Sequence, residues 1–252
     1  MLISGLVITY NESMHIEGCL RSLLKVADEV IVVDSYSTDD TLTICKSMGV
    51  KVVQHEYVGQ IEQKNYALSL TKHEIILALD GDEELSDELI ESINELKSSG
   101  FDQSGFLMNR LTNYAGKWVK HGGWYPDWKL RLWKKDRAIW GGQNPHDLVR
   151  LLANEKPIKL KGHILHYAFD TMADHDRRIP EYAKIGAQSS LESGQQATAL
   201  HPPIAAIWKF VRDYFLKAGF LDGITGFHIA RLSAISKYLK YKYLLQLQKQ
   251  LK

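Results

Sequence analysis

The chain of 252 residues contains 45% hydrophobic, 24% charged and 10% aromatic residues, which is ordinary for a globular protein and excludes a disordered or collagen-like one. Its two cysteines exclude a disulfide framework and a multi-cysteine zinc site. The net charge of +1 combines an acidic body with a basic tail, a distribution that argues against a nucleic-acid-binding protein.

The first hundred residues alternate short apolar runs with amphipathic stretches. Apolar runs rich in β-branched residues predict strands over residues 2–9, 30–33, 50–53 and 75–79. Apolar residues at helical spacing predict helices over residues 16–24, 42–48, 60–70 and 85–96. Strands that alternate with helices over short connections predict an α/β fold with a mostly parallel sheet and helices on both faces.

The pattern changes after residue 100. Tryptophans, tyrosines and glycine pairs become frequent over residues 104–166, and we expect short antiparallel strands joined by long loops there. Beyond residue 166 the apolar residues return to helical spacing, with an interruption predicted at Pro202 and Pro203. We expect neither a signal peptide nor a membrane-spanning segment, because the chain has no leader pattern at its start and no long apolar run.

Polar residues follow three of the four predicted strands. Ligands of an open parallel sheet bind beyond the carboxyl ends of its strands, so these positions are candidates for a binding site. They are residues 9–12 after the first strand (Thr9, Tyr10, Asn11 and Glu12), Asp34 and Ser35 after the second, and residues 80–83 after the fourth (Asp80, Gly81, Asp82 and Glu83). The glycine motif of dinucleotide-binding proteins is missing after the first strand, and no P-loop motif occurs, which argues against a hydride-transfer enzyme.

Three positions each allow a functional and a structural interpretation. Asp80 and Asp82, separated by one glycine, either bring oxygen ligands to a divalent cation and a diphosphate or form a solvated acidic turn. Asp34 either accepts the imide N–H of a uracil or starts an Asx turn with Ser37. Lys64, on the third predicted helix, either reaches a phosphate or ribose or is a solvated surface lysine.

The chain resembles inverting family 2 glycosyltransferases of the GT-A fold in three segments, ITYNE (8–12), VVDSYSTDDT (32–41) and LALDGDEEL (77–85). It is similar to a subgroup that acts in lipopolysaccharide core assembly in two more, WYPDWKLRLW (124–133) and NPHDLV (144–149). That subgroup includes β-1,4-glucosyltransferases. The likeness extends over nearly the whole chain.

The resemblance implies a domain organisation. A Rossmann-like GT-A catalytic domain is expected over residues 1–170, with a nucleotide-sugar half of residues 1–100 and an acceptor half of residues 101–170. A helical extension of residues 171–252 follows the domain. We expect this extension to contact a membrane or a second copy of the chain.

The donor site follows from the resemblance together with the chemistry of single residues. The resemblance assigns these residues to the nucleotide sugar: Thr9, Tyr10, Glu12, Asp34 and Asp80. It makes Asp82 a ligand of a Mg²⁺ or Mn²⁺ ion that bridges the diphosphate oxygens. His166 is a further candidate metal ligand, the alternative being a satisfied buried histidine. Arg131 is a candidate phosphate partner, because a guanidinium pairs with phosphate oxygens in a bidentate manner.

An inverting transfer needs one carboxylate to take the acceptor proton while the metal neutralises the leaving diphosphate. The subgroup usually carries His-Glu where this chain has His146 and Asp147, so Asp147 is the expected general base. Its side chain is one methylene shorter than the glutamate of the subgroup. Asp127 is the rival base, or else a turn residue after a proline. His146 either orients the diphosphate or caps a loop.

The acceptor is expected to meet the aromatic half of the chain. Trp124, Tyr125 and Trp128 are candidates for stacking on sugar faces, the alternative being a core role. Nine Lys and Arg against two acids give residues 203–252 a charge of +7 and leave −6 for residues 1–202. Cationic and aromatic residues mixed along this tail favour an anionic membrane surface as its partner; the alternative is packing on the catalytic domain or in a homodimer.

We therefore predict a metal-dependent glycosyltransferase that moves a hexose, expected to be glucose, from UDP to a saccharide of lipopolysaccharide core or a related cell-surface glycan. The acceptor is expected to be lipid-linked, and the protein cytoplasmic or peripheral on the inner face of the cytoplasmic membrane. A sugar nucleotidyltransferase is the first alternative, although it would need a glycine-rich basic loop after the first strand. A catalytically inactive sugar- or lipid-binding module is the second.

Overall fold

The alternation of strands and helices predicted for the first hundred residues is present in the structure, a computed structural model that describes residues 1–143, 146–152 and 155–250, without the side chains of residues 143 and 146. The strands are β1 (Ile3–Thr9), β2 (Glu29–Asp34), β3 (Lys51–Gln54) and β4 (Ile75–Asp80). The helices are α1 (Ile16–Leu23), α2 (Thr41–Ser47), α3 (Gln60–Ser69) and α4 (Asp87–Ser99). The strands lie in the order β3-β2-β1-β4 and all run parallel.

The parallel strands are buried on both faces, as their continuous apolar runs require. On one face, Leu20 of α1 and Leu89 of α4 belong to the same buried cluster as Leu77 of β4. On the other face, Ala67 of α3 packs in a cluster with Ala78. Helices therefore cover both faces of the sheet, and the predicted Rossmann-like α/β fold is confirmed.

The second part of the chain extends the same sheet with antiparallel strands. They are β5 (Glu83–Leu85), β6 (Gly105–Tyr114), β7 (Lys117–Val119), β8 (Asp127–Lys134), β9 (Ala138–Gln143), β10 (His146–Leu151) and β11 (Ile158–Phe169). The sheet continues from β4 through β8, β6 and β11 to β5, while β9 and β10 form a separate antiparallel pair. The antiparallel prediction is correct, but β6 with 10 residues and β11 with 12 are longer than expected.

The start of α4 differs from its prediction. The helix begins at Asp87, and the Ser86 side chain caps it by accepting a hydrogen bond from the Leu89 backbone N–H. Leu85, the first residue of the predicted helix, belongs to β5 and pairs with Ile164 of β11. The short strand β5 therefore lies directly after the Asp80-Gly81-Asp82 turn.

Three helices form most of the carboxyl-terminal part: α5 (Met172–Glu192), α6 (His201–Val211) and α7 (Gly223–Gln250). The predicted break at Pro202 and Pro203 is misplaced, because both prolines lie in the first turn of α6 and the break precedes them. A proline is tolerated there, since its missing N–H would have no partner inside the helix. A π-helical turn (Arg212–Leu216) and a 3-10 turn (Gly219–Asp222) connect α6 to α7.

The chain divides into two compact units. The first consists of residues 1–111 and 127–167, and the second of residues 112–126 and 168–252. The segment 112–126 thus groups with the carboxyl-terminal helices, whereas the sequence analysis assigned it to the acceptor half. Among the described residues, no helix has both the length and the apolarity that a bilayer crossing requires.

Candidate functional site

A cleft of about 230 Å³ opens in the first unit, at the carboxyl ends of β1 and β4. Eight residues that the sequence singled out line it: Thr9, Tyr10, Glu12, Ser35, Asp80, Gly81, Asp82 and His166. Two residues that the sequence analysis missed also line it, Tyr57 and Gln60. Tyr57 follows strand β3, so inspection of that strand end would have found it.

Gly81 lets two strand ends approach closely. Its backbone N–H donates to the Ile8 carbonyl oxygen at 3.0 Å. A Cβ atom on Gly81 would lie 2.7 Å from Oγ1 of Thr9, too close for any larger residue without a shift. The Thr9 hydroxyl is buried and has no hydrogen-bond partner among the described residues. The cleft therefore contains a buried polar group whose hydrogen-bonding capacity is unused.

The loop after β1 is held by the loop after β2. The backbone N–H of Asn11 donates to Oγ of Ser37 at 2.8 Å, and the backbone N–H of Glu12 donates to Oγ1 of Thr41 at 2.8 Å. Asn11 has a positive φ of 55°, a conformation that Asn tolerates better than most residues. Tyr10, with 56% of its surface exposed, is thereby presented to solvent at the rim of the cleft.

Asp34 is buried at the end of β2 and is engaged within the protein. Its carboxylate accepts from the backbone N–H of Ser37 at 2.9 Å and from Nε2 of Gln54 at 3.2 Å. The Ser37 hydroxyl donates to the other carboxylate oxygen. These contacts form the Asx turn that was the structural alternative for Asp34, and they fix the turn that carries Ser35 into the cleft.

Asp82 and His166 form the candidate metal pair. Oδ2 of Asp82 lies 3.3 Å from Nε2 of His166, and both side chains line the cleft. The strands explain the contact: Glu83 of β5 pairs with His166 of β11, and the Tyr167 backbone N–H donates to the Asp82 carbonyl at 2.9 Å. Within the described residues no third His, Cys, Asp or Glu completes a protein-only metal cluster. A cation held here would take its remaining ligands from phosphate and water.

Lys64 connects Asp80 to Asp147. The lysine is buried, and its Nζ lies 2.9 Å from Oδ1 of Asp80 and 3.0 Å from Oδ2 of Asp147. The Trp140 indole N–H donates to the same Asp147 oxygen at 2.8 Å, and the Trp140 ring centroid lies 4.9 Å from Lys64 Nζ. Lys64 is therefore not a solvated surface lysine. Its ammonium group contacts both the carboxylate of Asp147 and that of the cleft residue Asp80.

Arg131 is the second cation on Asp80. It donates to Oδ2 of Asp80 at 2.9 Å and to Oε1 of Glu83 at 3.1 Å. Burial alone would raise the pKa of Asp80, but the charges of Lys64 and Arg131 outweigh it and hold that pKa well below its usual range. Burial lowers the pKa of Arg131, and Glu83 and Asp80 more than reverse this. Asp80 is therefore ionised, and its carboxylate lies between the cationic groups of Lys64 and Arg131.

The ion pairs continue through Glu83, one of the strand-end residues, and Arg110, which the sequence analysis missed. Glu83 is buried and also accepts from Nη1 of Arg110 at 3.1 Å. Arg110 in turn binds Oδ2 of Asp127, with its Nε at 2.9 Å and its Nη2 at 2.8 Å, while Lys129 lies 3.1 Å from the other oxygen. Alternating charges thus run from Asp147 to Asp127. Arg110 is a charge within the apolar run of β6, which is the signal that could have revealed it.

The aromatic candidates lie in different surroundings. Trp124, in the second unit, packs against Tyr114 and His175 with ring centroids 5.6 and 5.5 Å apart, within an apolar cluster. These contacts correspond to the core role that was its alternative. Trp128, in the first unit, carries Nζ of Lys159 over its ring at 4.4 Å. Tyr125 belongs to the second unit, and the side chain of His146 lies outside the described residues.

Comparison with known proteins gives consistent matches. Residues 4–151 match the family model described as Glycosyl transferase family 2. An uncharacterized glycosyltransferase of Rickettsia typhi is 30% identical over 97% of this chain and 87% of its own. The lipopolysaccharide core biosynthesis glycosyltransferase LpsC of Rhizobium meliloti is 25% identical over 94% of this chain and 89% of its own.

Among solved structures, S. aureus TarS in complex with UDP superposes with a TM-score of 0.49 and 18% identity, over 99% of this chain and 92% of that one. The family match covers more than half of the chain, and the Rickettsia relative covers nearly all of it. Both matches are to glycosyltransferases, which argues against the two alternatives, a sugar nucleotidyltransferase and an inactive binding module. The chain is a glycosyltransferase that belongs to glycosyl transferase family 2.

Proposed function

We propose that this glycosyltransferase transfers a hexose from a UDP-linked donor to a saccharide hydroxyl, with inversion at the anomeric carbon and release of UDP. Glucose is the first candidate for the hexose. The observation that carries the proposal is the single cleft lined by Thr9, Tyr10, Asp80, Asp82 and His166, from strand ends far apart in the sequence. An aromatic rim, an unused buried hydroxyl and a carboxylate–imidazole pair are the groups that a nucleoside diphosphate and its cation require.

The donor would be bound by groups of distinct chemistry. The exposed ring of Tyr10 offers a stacking face for the base, and the Thr9 hydroxyl offers a hydrogen bond inside the cleft. Glu12 and Asp80 would face the ribose and sugar hydroxyls. The carboxylate of Asp34 is engaged by its own turn. We therefore assign Asp34 the role of positioning the end of β2 beside the uracil.

The donor set of Asp82 and His166 fits a divalent cation, because a carboxylate and an imidazole 3.3 Å apart open on the same cleft. Such a cation, Mg²⁺ or Mn²⁺, would neutralise the charge that grows on the departing diphosphate. The carboxylate of Asp80 is fixed by ion pairs with Lys64 and Arg131. It would therefore hold the sugar part of the donor in a fixed position.

Asp147 is the better candidate for the general base. Among the described residues, the contacts from Lys64 and Trp140 both end on Oδ2 of Asp147, so we assign the acceptor proton to Oδ1. Asp127 has Arg110 on one carboxylate oxygen and Lys129 on the other. A carboxylate with a cation on each oxygen leaves less room for an acceptor hydroxyl to approach. We therefore assign Asp127 to holding the ion-pair chain and Asp147 to the proton.

We propose a lipid-linked saccharide of lipopolysaccharide core as the acceptor. The likeness to LpsC over most of both chains supports this choice of substrate class. Trp128 and Tyr125 remain the candidate sugar-stacking residues. In this proposal the enzyme works at the inner face of the cytoplasmic membrane, with its carboxyl-terminal helices toward the lipid.

Donor hydrolysis and transfer test the proposal. The chain is incubated with UDP-, ADP- and GDP-glucose, each with and without Mn²⁺, and nucleotide release is followed. We expect release of UDP alone, dependent on the metal and accelerated by truncated lipopolysaccharide. Metal-independent turnover would remove Asp82 and His166 from the proposal, and preference for another nucleotide would remove the uracil assignment. Retention of the anomeric configuration in the product would overturn the role of Asp147.

A further inference from the structure

The second unit has an exposed apolar face. Large apolar side chains along α6, the two turns after it and the start of α7 are each 56% to 66% exposed: Ile204, Ile207, Trp208, Phe215, Leu221 and Ile224. We call these six residues the apolar face. Single exposed apolar residues are common on proteins, but a group of this size within 21 consecutive residues marks an interaction surface.

Ring contacts join the four segments that carry the apolar face. Phe210 of α6 contacts Phe227 of α7 with ring centroids 6.0 Å apart. Tyr214, in the π-helical turn, contacts both Phe220 of the 3-10 turn at 6.3 Å and Phe227 at 5.7 Å. Phe215 packs on Tyr214 at 5.1 Å. The segments that carry the apolar face are therefore packed on one aromatic cluster.

The acidic residues of this region do not face solvent. Asp213 is 3% exposed and binds Lys209 at 2.7 Å and Arg212 at 2.8 Å. Asp222 is 10% exposed and accepts the backbone N–H of His121 at 2.8 Å. They are the only two acids of residues 204–227, against Lys209, Arg212 and Lys217. The charge that this part of the chain presents to solvent is therefore positive.

The later part of α7 does not belong to this surface. Tyr241 and Leu244 are buried with Ala187 of α5 in one cluster, and Lys237 and Lys240 lie over the Tyr241 ring at 5.5 and 5.8 Å. The sequence analysis expected these residues to lie at an interface too. They pack instead on α5 within the same helical extension, and the candidate surface narrows to residues 204–227.

We infer that the apolar face inserts into the headgroup region of an anionic lipid bilayer, with the cations of residues 204–227, Lys217 first among them, against the lipid phosphates. An apolar patch that carries positive charge and whose acids are engaged within the protein is complementary to such a surface. A second copy of the chain would bring two positive surfaces together, which is unfavourable. The inference deepens the proposed function by specifying how the enzyme reaches a lipid-linked acceptor.

Vesicle sedimentation tests the inference on the full chain without donor or acceptor, so its outcome is independent of the proposed chemistry. The vesicles are phosphatidylcholine alone and phosphatidylcholine mixed with phosphatidylglycerol. We expect binding to the mixed vesicles, weakened by salt. Ile207→Gln should weaken it about tenfold, the loss for one buried aliphatic side chain. Lys217→Glu, a change of two charges at an exposed position, should weaken it by about 30-fold.

Leu24→Gln is the matched control, because Leu24 is 47% exposed at the end of α1 in the first unit, against 65% for Ile207 in the second. It should bind vesicles as the unchanged chain does. Circular dichroism of all variants checks that they fold. Absence of binding to the mixed vesicles, or equal losses for Leu24→Gln and Ile207→Gln, would overturn the inference. Sedimentation velocity that shows a dimer dissociated by Ile207→Gln would overturn it in favour of a second copy.

Discussion

Nζ of Lys64 lies 3.0 Å from a carboxylate oxygen of Asp147, a residue 83 positions further along the chain. The same ammonium lies 2.9 Å from Asp80, which lines the donor cleft. One buried cation therefore spans the distance between the carboxylate on the donor side and the candidate base. This relationship makes the assignment of the base testable by substitution.

Asp147→Asn should reduce transfer by about 10²–10⁴-fold, the usual contribution of a general base. Asparagine has the same shape and can still contact Lys64 and Trp140, so affinity for UDP should change little. Initial rates and calorimetric titration with UDP measure the two effects. Asp127→Asn is the matched variant, and its transfer rate should fall less. If the larger loss with intact UDP affinity occurs at Asp127 instead, the base is Asp127.

Asp82→Asn should abolish the metal-dependent part of UDP binding, because the amide has lost the charge that holds a divalent cation. Titration of UDP with and without Mn²⁺ measures it, and we expect the two affinities to converge in the variant. Asp87→Asn, at an exposed position in the first turn of α4, is the control and should keep the difference between them. A full Mn²⁺ response in Asp82→Asn would show that the ion binds elsewhere.

Gly81→Ala should lower the free energy of unfolding by about 1–3 kcal/mol and weaken UDP binding, because overpacking displaces its neighbours. The new Cβ would lie 2.7 Å from Oγ1 of Thr9. Thr9→Ala in the same chain removes that oxygen and should recover part of the stability, which a double-mutant cycle measures by urea denaturation. Gly141→Ala, whose Cβ would meet nothing within 4 Å, should be nearly neutral. Additive losses at positions 9 and 81 would contradict this explanation.

Much of the fold could be predicted from local patterns. Strands β1 and β4 are continuous apolar runs buried on both faces, and their ends show where polar residues face a ligand. The turn at Gly81 was identified for that reason. By contrast, β5 has three residues and exists because it pairs with β11, so nothing in its own sequence distinguishes it from the start of α4.

The ion-pair chain could be predicted only in part. Lys64 and Arg131 were recognised as cations near a phosphate site, but their actual partners depend on how α3 and β8 pack beside β4. Glu83 accepts locally from the Asp80 backbone N–H, but its partners Arg110 and Arg131 lie on other strands, and no spacing in the sequence connects them to it. Ion pairs that depend on the order of the strands in the sheet could not be predicted from local sequence patterns.

Glu83→Gln should lower the free energy of unfolding by about 3–5 kcal/mol, because it leaves the buried guanidinium of Arg131 without one of its counter-charges. Urea denaturation measures the change. Glu88→Gln, on the exposed surface of α4, should shift stability by less than about 0.5 kcal/mol. Equal stability of the two variants would show that Asp80 and Asp127 suffice to neutralise the two arginines.

His175 should make the protein less stable as the pH falls from about 6.5 to about 4. Burial, with a smaller contribution from the nearby charge of His228, lowers the pKa of His175 from 6.5 to about 4. The unfolded chain therefore takes up a proton near pH 6.5, whereas the folded chain stays neutral at this site until about pH 4. Stability present above pH 6.5 is lost across this window, by about 3 kcal/mol for a shift of this size.

Urea denaturation at a series of pH values measures this loss, with His175→Gln as the comparison. Glutamine can still meet the Tyr114 hydroxyl, which lies 3.0 Å from Nδ1 of His175, but it does not titrate. The variant should therefore lack the decline between about pH 6.5 and 5. Carboxylates with lowered pKa values, such as Asp39 at about 2 and Glu29, lose their contribution below about pH 5, outside this range. An unchanged decline in His175→Gln would contradict the assignment of the effect to His175.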